Sequence, residues 1–354
     1  MAENTLKRKR IYIAAVKLLA IFLVVFIHTK QKGYGLYEVS SHSPFIMLYL
    51  FLSIASRIAV PLFFMCSGAV LLGRDEPLST LYRHRILRYV VVLVVVSFAY
   101  YLLAIWGNLG RFRFDRFLAI LYSDKLTAHL WFLYAYLACL LVLPFLRKLA
   151  RSLEGREIAY MIVLQVVFTS LIPAVEYLLG RNAVVINKSF RPNHVVIGAF
   201  YMLMGYWMEA KMDFSRIRKK HIVVGVLAAV LAVAASCALT MFKANVTGGF
   251  GGRIFHESFI AIPTLVVFGL FRIWFERMEI TESVSRALLY AGDLTFGIYL
   301  MHMATFRLTT KIDNLIRPWL TPLIATILWV LLTVIVSGAV TAALRKIPFV
   351  KKYL

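Results

Sequence analysis

Acidic side chains are scarce in this sequence, and charge of either sign is thin. Lys and Arg number 40 against 17 Asp and Glu, yet charged residues make up only 16% of the 354 residues and hydrophobic ones 61%. A soluble domain carries about 25% charged and about 45–50% apolar residues, so a water-soluble globule is excluded. Cysteine is sparse too. Cys66, Cys139 and Cys237 all lie inside apolar runs without metal-ligand spacing, which leaves them as packing residues and predicts no metal site. There is no G-x-S-x-G elbow, Walker loop, dinucleotide fingerprint or H-E-x-x-H, and no histidine has an acid five residues on. Covalent serine chemistry therefore has no support. No stretch between the apolar runs is long enough for a separate domain, so residues 1–354 read as one integral membrane domain.

What the chain does have is repeated apolar runs of the length that crosses a hydrocarbon core of about 30 Å. Ten can be marked, near 11–29, 44–73, 86–107, 127–147, 158–179, 194–210, 221–242, 254–275, 286–307 and 318–343. Backbone groups in lipid must bond internally, so these runs predict an all-α polytopic bundle of about ten transmembrane helices. The second run is long enough to be tilted or broken, and Pro61 sits inside it. The basic run Lys7-Arg8-Lys9-Arg10 before Ile11 resembles a signal peptide, but no small-residue cleavage site follows, so it reads as a retained first span. With the N-terminus inside, 24 of the 40 basic residues fall on cytoplasmic segments and 14 on the opposite side, which places both termini in the cytoplasm. The net charge of +23 is then explained by orientation and by contact with anionic lipid, and nucleic acid is not an expected partner.

Ionisable residues inside spans are expensive and mark function or pairing. His28, His129, His194, His256 and His302 all fall toward the outer ends of their predicted helices, where they either sit tolerated at the interface or share one outward-opening polar cavity. Lys17 and His28 form the sharpest pair. Eleven helical residues turn through about 1100°, so both side chains share one face, about 16 Å apart along the axis. A cation below could hold a phosphorylated donor, and an imidazole above could take a hydroxyl proton. A snorkelling lysine and an interfacial histidine would satisfy the same arithmetic. Asp293 and His302, nine apart, lie on opposite faces of a helix, and His129 and Trp131, two apart, do not face together.

Four motifs occur in order along these spans. Lys17 and His28 are separated by ten residues; Val60-Pro61-Leu62-Phe63-Phe64-Met65-Cys66-Ser67-Gly68 lies in the second run; His129-Leu130-Trp131-Phe132-Leu133 is followed by Pro144; and Gly297-Ile298-Tyr299-Leu300-Met301-His302 comes late. The set resembles the signature of the membrane acyltransferase family 3, and most resembles its enterobacterial common antigen O-acetyltransferase type. Lys17 stands where the family more often has arginine, and Ala14-Ala15-Val16 lack the aspartate that often precedes it.

The resemblance implies transfer of an acetyl group from cytoplasmic acetyl-coenzyme A to a hydroxyl of a cell-envelope glycan or lipid-linked saccharide, in the bacterial inner membrane. No permanently bound cofactor is implied. His28 would be the general base, with Lys17 beside it in the catalytic motif and on the donor. Arg74, Arg83, Arg85 and Arg88 are candidates for the coenzyme A phosphates, with lipid headgroups as the alternative partner. Trp131 would shape the acyl passage or serve as a structural aromatic. His129, Arg57, Glu257 and His302 complete the candidate substrate site, and the partners of the two charges are not readable from sequence. Two other classes are open: a transporter or flippase for a lipid-linked sugar or small solute, which suits a polar-lined bundle equally well, and a membrane sensor or scaffold. The missing repeat symmetry weighs against the first, and the missing signalling domain against the second.

Overall fold

A computed structural model describes residues 2–40, 42–123, 129–178, 186, 190–250 and 255–354, with side chains from residue 10 onward. The described residues are helical, with no strand. Twelve helices concern the site: α1 (Ala2–Ile27), α2 (Ile46–Leu71), α3 (Leu78–Ala104), α4 (Phe114–Ser123), α5 (Trp131–Leu141), α6 (Leu143–Ser152), α7 (Gly155–Leu178), α8 (His194–Ala210), α9 (Lys219–Thr247), α10 (Ala261–Arg277), α11 (Glu282–Ile316) and α12 (Pro322–Leu344).

Six of these, α1, α2, α3, α7, α9 and α12, are long and apolar enough to cross a membrane, and α5 with α6 would make a seventh if the pair, bent by 66°, is one span. The bend has a local cause: Pro144 lacks the N–H that would continue α5, and at the first turn of α6 that loss leaves no orphan. The other three expected runs are helices as well. α8 and α10 have 17 residues each, about 26 Å at 1.5 Å per residue, and α11 has 35 residues with charges spread along it. The run ends at 127–128, 179 and 254 lie outside the described residues. The second run, long enough to be tilted or broken, stays one helix of membrane length that tightens over Ser56–Ile58 and presents Arg57 there; Pro61 falls in the first turn of the following segment, where a proline is tolerated.

The core is built around α1, which packs against the second half of α2 and against α10, α11 and α12. Val16, Ala20, Ile21 and Val25 on α1 have no exposed surface. Lipid tails are as apolar as leucine, so such helices associate through close packing and polar contacts. Both devices are present. At the α2–α8 crossing a Cβ on Gly68 would lie 1.9 Å from the Met202 carbonyl oxygen, and one on Gly205 would lie 2.1 Å from the Met65 oxygen, so the backbones touch where only glycine fits. Between α11 and α12 the contact is polar: Thr305 meets Ser337 at 2.7 Å, Thr309 meets Thr333 at 2.9 Å, and Trp329 Nε1 donates to Thr309 Oγ1 at 3.1 Å.

Candidate active site

α1 ends in a turn that presents a histidine. The His28 N–H still bonds Val25 O at 3.1 Å, and Thr29 Oγ1 donates to Phe26 O at 2.6 Å while accepting from Tyr34 N at 2.8 Å. The helix ends at Ile27, so His28 stands in the first turn beyond it. His28 Nδ1 lies 2.7 Å from Val24 O, a contact in which the ring nitrogen must donate, so Nε2 carries the lone pair. His302, fully buried on α11, has the same arrangement, with Nδ1 2.6 Å from Tyr299 O. Its Nε2 is buried without a hydrogen-bond partner among the described residues. His129 is buried in the turn just before α5, and its carbonyl accepts the Tyr299 hydroxyl at 2.6 Å.

Three elements thus bring three imidazoles together. Ring centroids are 5.0 Å apart for His28 and His302, 5.0 Å for His129 and His302, and 6.3 Å for His28 and His129. The described residues contain no group of ligands fit to hold a metal ion. Two other expected histidines stand elsewhere: His194 packs on Trp131 at 4.5 Å, and His256 is held by Tyr34 at 2.7 Å and Tyr37 at 3.2 Å.

Cavities lie along α1 on either side of Lys17. Toward the N-terminal end a basic cavity of about 430 Å³ is lined by Arg10, Lys17 and Arg74, with Asp293 as its acidic member. Lys17 also lines an aromatic cavity of about 160 Å³ that runs past Phe132 and Tyr136 to Tyr299. The Tyr299 ring in turn packs on His129 at 5.5 Å and on His302 at 6.1 Å. Tyr299 is thus shared: it lines the aromatic cavity with Lys17 and packs against two of the three imidazoles. A third cavity, of about 260 Å³, reaches Ile27 beside His28 and is lined by Arg57, Glu257, Trp131 and His194. Arg57 Nη2 pairs with Glu257 Oε1 at 2.8 Å, and its guanidinium lies 5.8 Å from the Tyr34 ring centre.

Of the arginines expected near the donor, Arg74 alone lines the basic cavity. Arg83 is exposed. Arg85 grips Glu76 through two bonds of 2.8 and 2.9 Å, and Arg147 reaches the same carboxylate at 2.8 Å. Their hydrogen bonds, Arg85's first, hold the Glu76 carboxyl down to about 2. Arg88 donates to the Tyr353 carbonyl at 3.1 and 3.2 Å.

Sequence reasoning overlooked Arg10 as a cavity residue, although the signal was there. Seven residues before Lys17 is about two helical turns, so Arg10, Lys17 and His28 fall on one stripe of α1. It also overlooked two buried ionic knots. Glu209 on α8 holds Tyr12 and Arg272, tying α1 to α8 and α10. Asp313, with no exposed surface, pairs with Lys32 at 2.9 Å and Arg317 at 2.7 Å. Charged residues within or beside apolar runs were the available signal, but apart from Arg317, four residues after Asp313, their partners lie from about 60 to 280 residues away in sequence.

The family model for an acyltransferase domain, acyltransferase 3, matches residues 10–342. No curated protein and no solved structure matches the chain. A match over nearly the whole chain, on a helical bundle with several membrane-length helices, makes this protein a membrane acyltransferase belonging to the acyltransferase 3 family.

Proposed function

We propose that the protein is an O-acetyltransferase of the bacterial inner membrane, carrying an acetyl group from cytoplasmic acetyl-coenzyme A to a hydroxyl of a cell-envelope glycan or lipid-linked saccharide. In this reading the bundle crosses the membrane ten times with both termini in the cytoplasm, in keeping with the basic bias of those segments. The acceptor class follows from the resemblance to the common antigen type.

The observation that carries the proposal is the position of Lys17, which lines both the basic cavity and the aromatic cavity leading to Tyr299. Arg10, Lys17 and Arg74 suit the phosphates of coenzyme A, and the thioester then lies further along α1, toward the histidines. The third cavity, beside His28, takes the acceptor, with Arg57, Glu257 and Trp131 offering ionic, hydrogen-bonding and stacking partners to a sugar.

The acceptor oxygen attacks the thioester carbonyl carbon and forms the C–O bond. His28 Nε2 takes the hydroxyl proton, free to do so because Nδ1–H is committed to Val24 O. The tetrahedral centre collapses, the C–S bond breaks, and the coenzyme A thiolate leaves with the electron pair. The proton on His28 returns to the thiolate through the cavity, so atoms and charge balance and no external reductant or oxidant is needed.

His28→Ala is expected to reach the membrane in normal amount and lose about 10²–10⁴-fold in turnover, the usual scale of general-base catalysis. Labelled acetyl-coenzyme A with mass spectrometry of envelope glycans reads the result. Undiminished glycan acetylation in the variant would refute the base, and solute movement through proteoliposomes without acyl turnover would favour a transporter.

A further inference from the structure

We propose that the aromatic cavity between Lys17 and Tyr299 is the acyl-binding site, and that Phe132 limits it to short chains. Acetyl and propionyl thioesters are admitted, and acyl chains of about six carbons or more are refused. This inference rests on the acyl-coenzyme A reading above and adds the ligand class and the residue that selects it.

Position comes first. The cavity shares Lys17 with the basic cavity and ends on Tyr299, whose ring touches both His129 and His302. A thioester drawn in behind phosphates at Arg10 and Arg74 would present its carbonyl carbon at that end.

Chemistry comes second. The wall is mostly apolar, made by Phe63, Val70, Leu71, Phe132 and Phe296. The polar groups on the wall are Lys17, three tyrosine phenols and two small hydroxyls, and three of the hydroxyls are engaged elsewhere: Ser67 Oγ donates to Phe63 O at 2.9 Å, Thr295 Oγ1 to Gly292 O at 2.7 Å and Tyr299 Oη to His129 O at 2.6 Å. A sugar placed here would replace only part of its hydrogen bonds to water, from Lys17 and the tyrosines on the wall, whereas an acyl chain loses none. The same argument separates this cavity from the third one, whose Arg57, Glu257 and Trp131 offer what a sugar needs.

Size comes third. The cavity holds about 160 Å³. A dry cavity of about 150 Å³ takes one benzene, so this space holds about six non-hydrogen atoms. An acetyl thioester group has about four and a hexanoyl one about eight, which overfills the site by roughly the difference.

Phe132 is the residue that cannot yield. Its ring is held by Phe64 at 5.1 Å, Tyr299 at 5.4 Å and Tyr136 at 5.7 Å, and Phe64 itself lines the third cavity. Any outward movement of Phe132 therefore pushes an aromatic wall into the acceptor space. Removing the ring opens a further volume of about one benzene in the direction of Phe64.

The test uses the purified full-length protein in nanodiscs, with acetyl-, propionyl-, butyryl- and hexanoyl-coenzyme A as donors. Membrane extract from cells lacking the protein supplies the acceptor, and thiol release is the readout. For the unmodified protein we expect kcat/KM for acetyl-coenzyme A to exceed that for hexanoyl-coenzyme A by about 100-fold or more, since each misfitted methylene costs about 10-fold or more. Phe132→Ala is expected to reduce that ratio at least about 10-fold, chiefly through faster use of hexanoyl-coenzyme A, with Phe132→Leu intermediate. Equal use of acetyl and hexanoyl donors by the unmodified protein overturns the proposal, as does an unchanged ratio in both Phe132 variants. If neither variant folds, the donor series on the unmodified protein decides alone. Absence of any acyl-coenzyme A turnover is a different result, and it removes the acyltransfer reading from which the cavity assignment starts.

Discussion

Substituting alanine for Gly68 tests whether the α2–α8 crossing organises the site. The added methyl carbon would sit 1.9 Å from the Met202 carbonyl oxygen, where ordinary contact begins at 3.4 Å. Neither atom can swing aside, because the obstacle is backbone on both helices. The helices must separate by about 1.5 Å at this point, and a gap of about 0.5–1 Å already forfeits a quarter to a half of the dispersion contact. Overpacking of this kind costs about 1–3 kcal/mol. For a chain of 354 residues that lowers the melting temperature by about 3 °C at the middle of the range.

The functional effect should be larger than the stability effect. α2 carries Arg57 on the third cavity and Cys66 and Ser67 on the aromatic one, and α8 carries His194. Misplacing reacting groups by about 1 Å costs about 100-fold in rate. Gly205→Ala attacks the same crossing from the other side, since its Cβ would lie 2.1 Å from the Met65 oxygen. Once the helices have parted for one methyl, the second costs less, so the double variant should be less destabilised than the sum of the singles. Thermal unfolding in detergent followed by intrinsic fluorescence, with donor turnover on the same samples, measures both effects. An unchanged melting temperature in both single variants, or strict additivity in the double, would show that the backbones do not meet there.

Lys17→Ala should raise KM for acetyl-coenzyme A by about 10–100-fold, the loss of one charge-assisted hydrogen bond, with a smaller change in kcat; Lys17→Arg should recover most of it, and an unchanged KM would remove Lys17 from donor binding. Glu76 is clasped by Arg85 and Arg147, and Arg147 is buried, so Glu76→Ala should cost about 3 kcal/mol at neutral pH. The folded-state pKa lies below the ordinary carboxyl value, at about 2, so the clasp stabilises the fold above the ordinary value and is lost as pH falls toward 2. The difference in melting temperature between Glu76→Ala and the unmodified protein should accordingly narrow as pH drops from 5 toward about 2, and a pH-independent difference would contradict the ionic origin.

Much of the architecture could be read in one dimension. Hydrophobic length alone marks the spans, because lipid leaves the backbone no partner but its own helix. The bend before Pro144 follows from a missing N–H. The shared face of Lys17 and His28 follows from helix periodicity, and the same periodicity would have added Arg10 had the basic N-terminal run been read as more than a topogenic signal. Three of the ten expected spans, α8, α10 and α11, are helices but do not stand out as long and apolar enough to cross a membrane, because two are short and the third carries charges along its length.

By itself, then, the sequence determined that the chain is a helical membrane protein, that Lys17 and His28 share one face of the first run, and through its motifs that it belongs among acyltransferases. Only the tertiary structure decided which groups meet. His28, His129 and His302 come from three elements more than a hundred residues apart, and nothing in periodicity distinguishes them from His194, which stacks on Trp131, or His256, which two tyrosines hold. Likewise Arg74, Arg85 and Arg88 look alike in sequence, yet one lines a cavity, one clasps Glu76 and one caps a carbonyl. Helix geometry is local and repeats every few residues, whereas pairing between helices depends on which small residues let backbones approach, and that is set by the packing of the whole bundle.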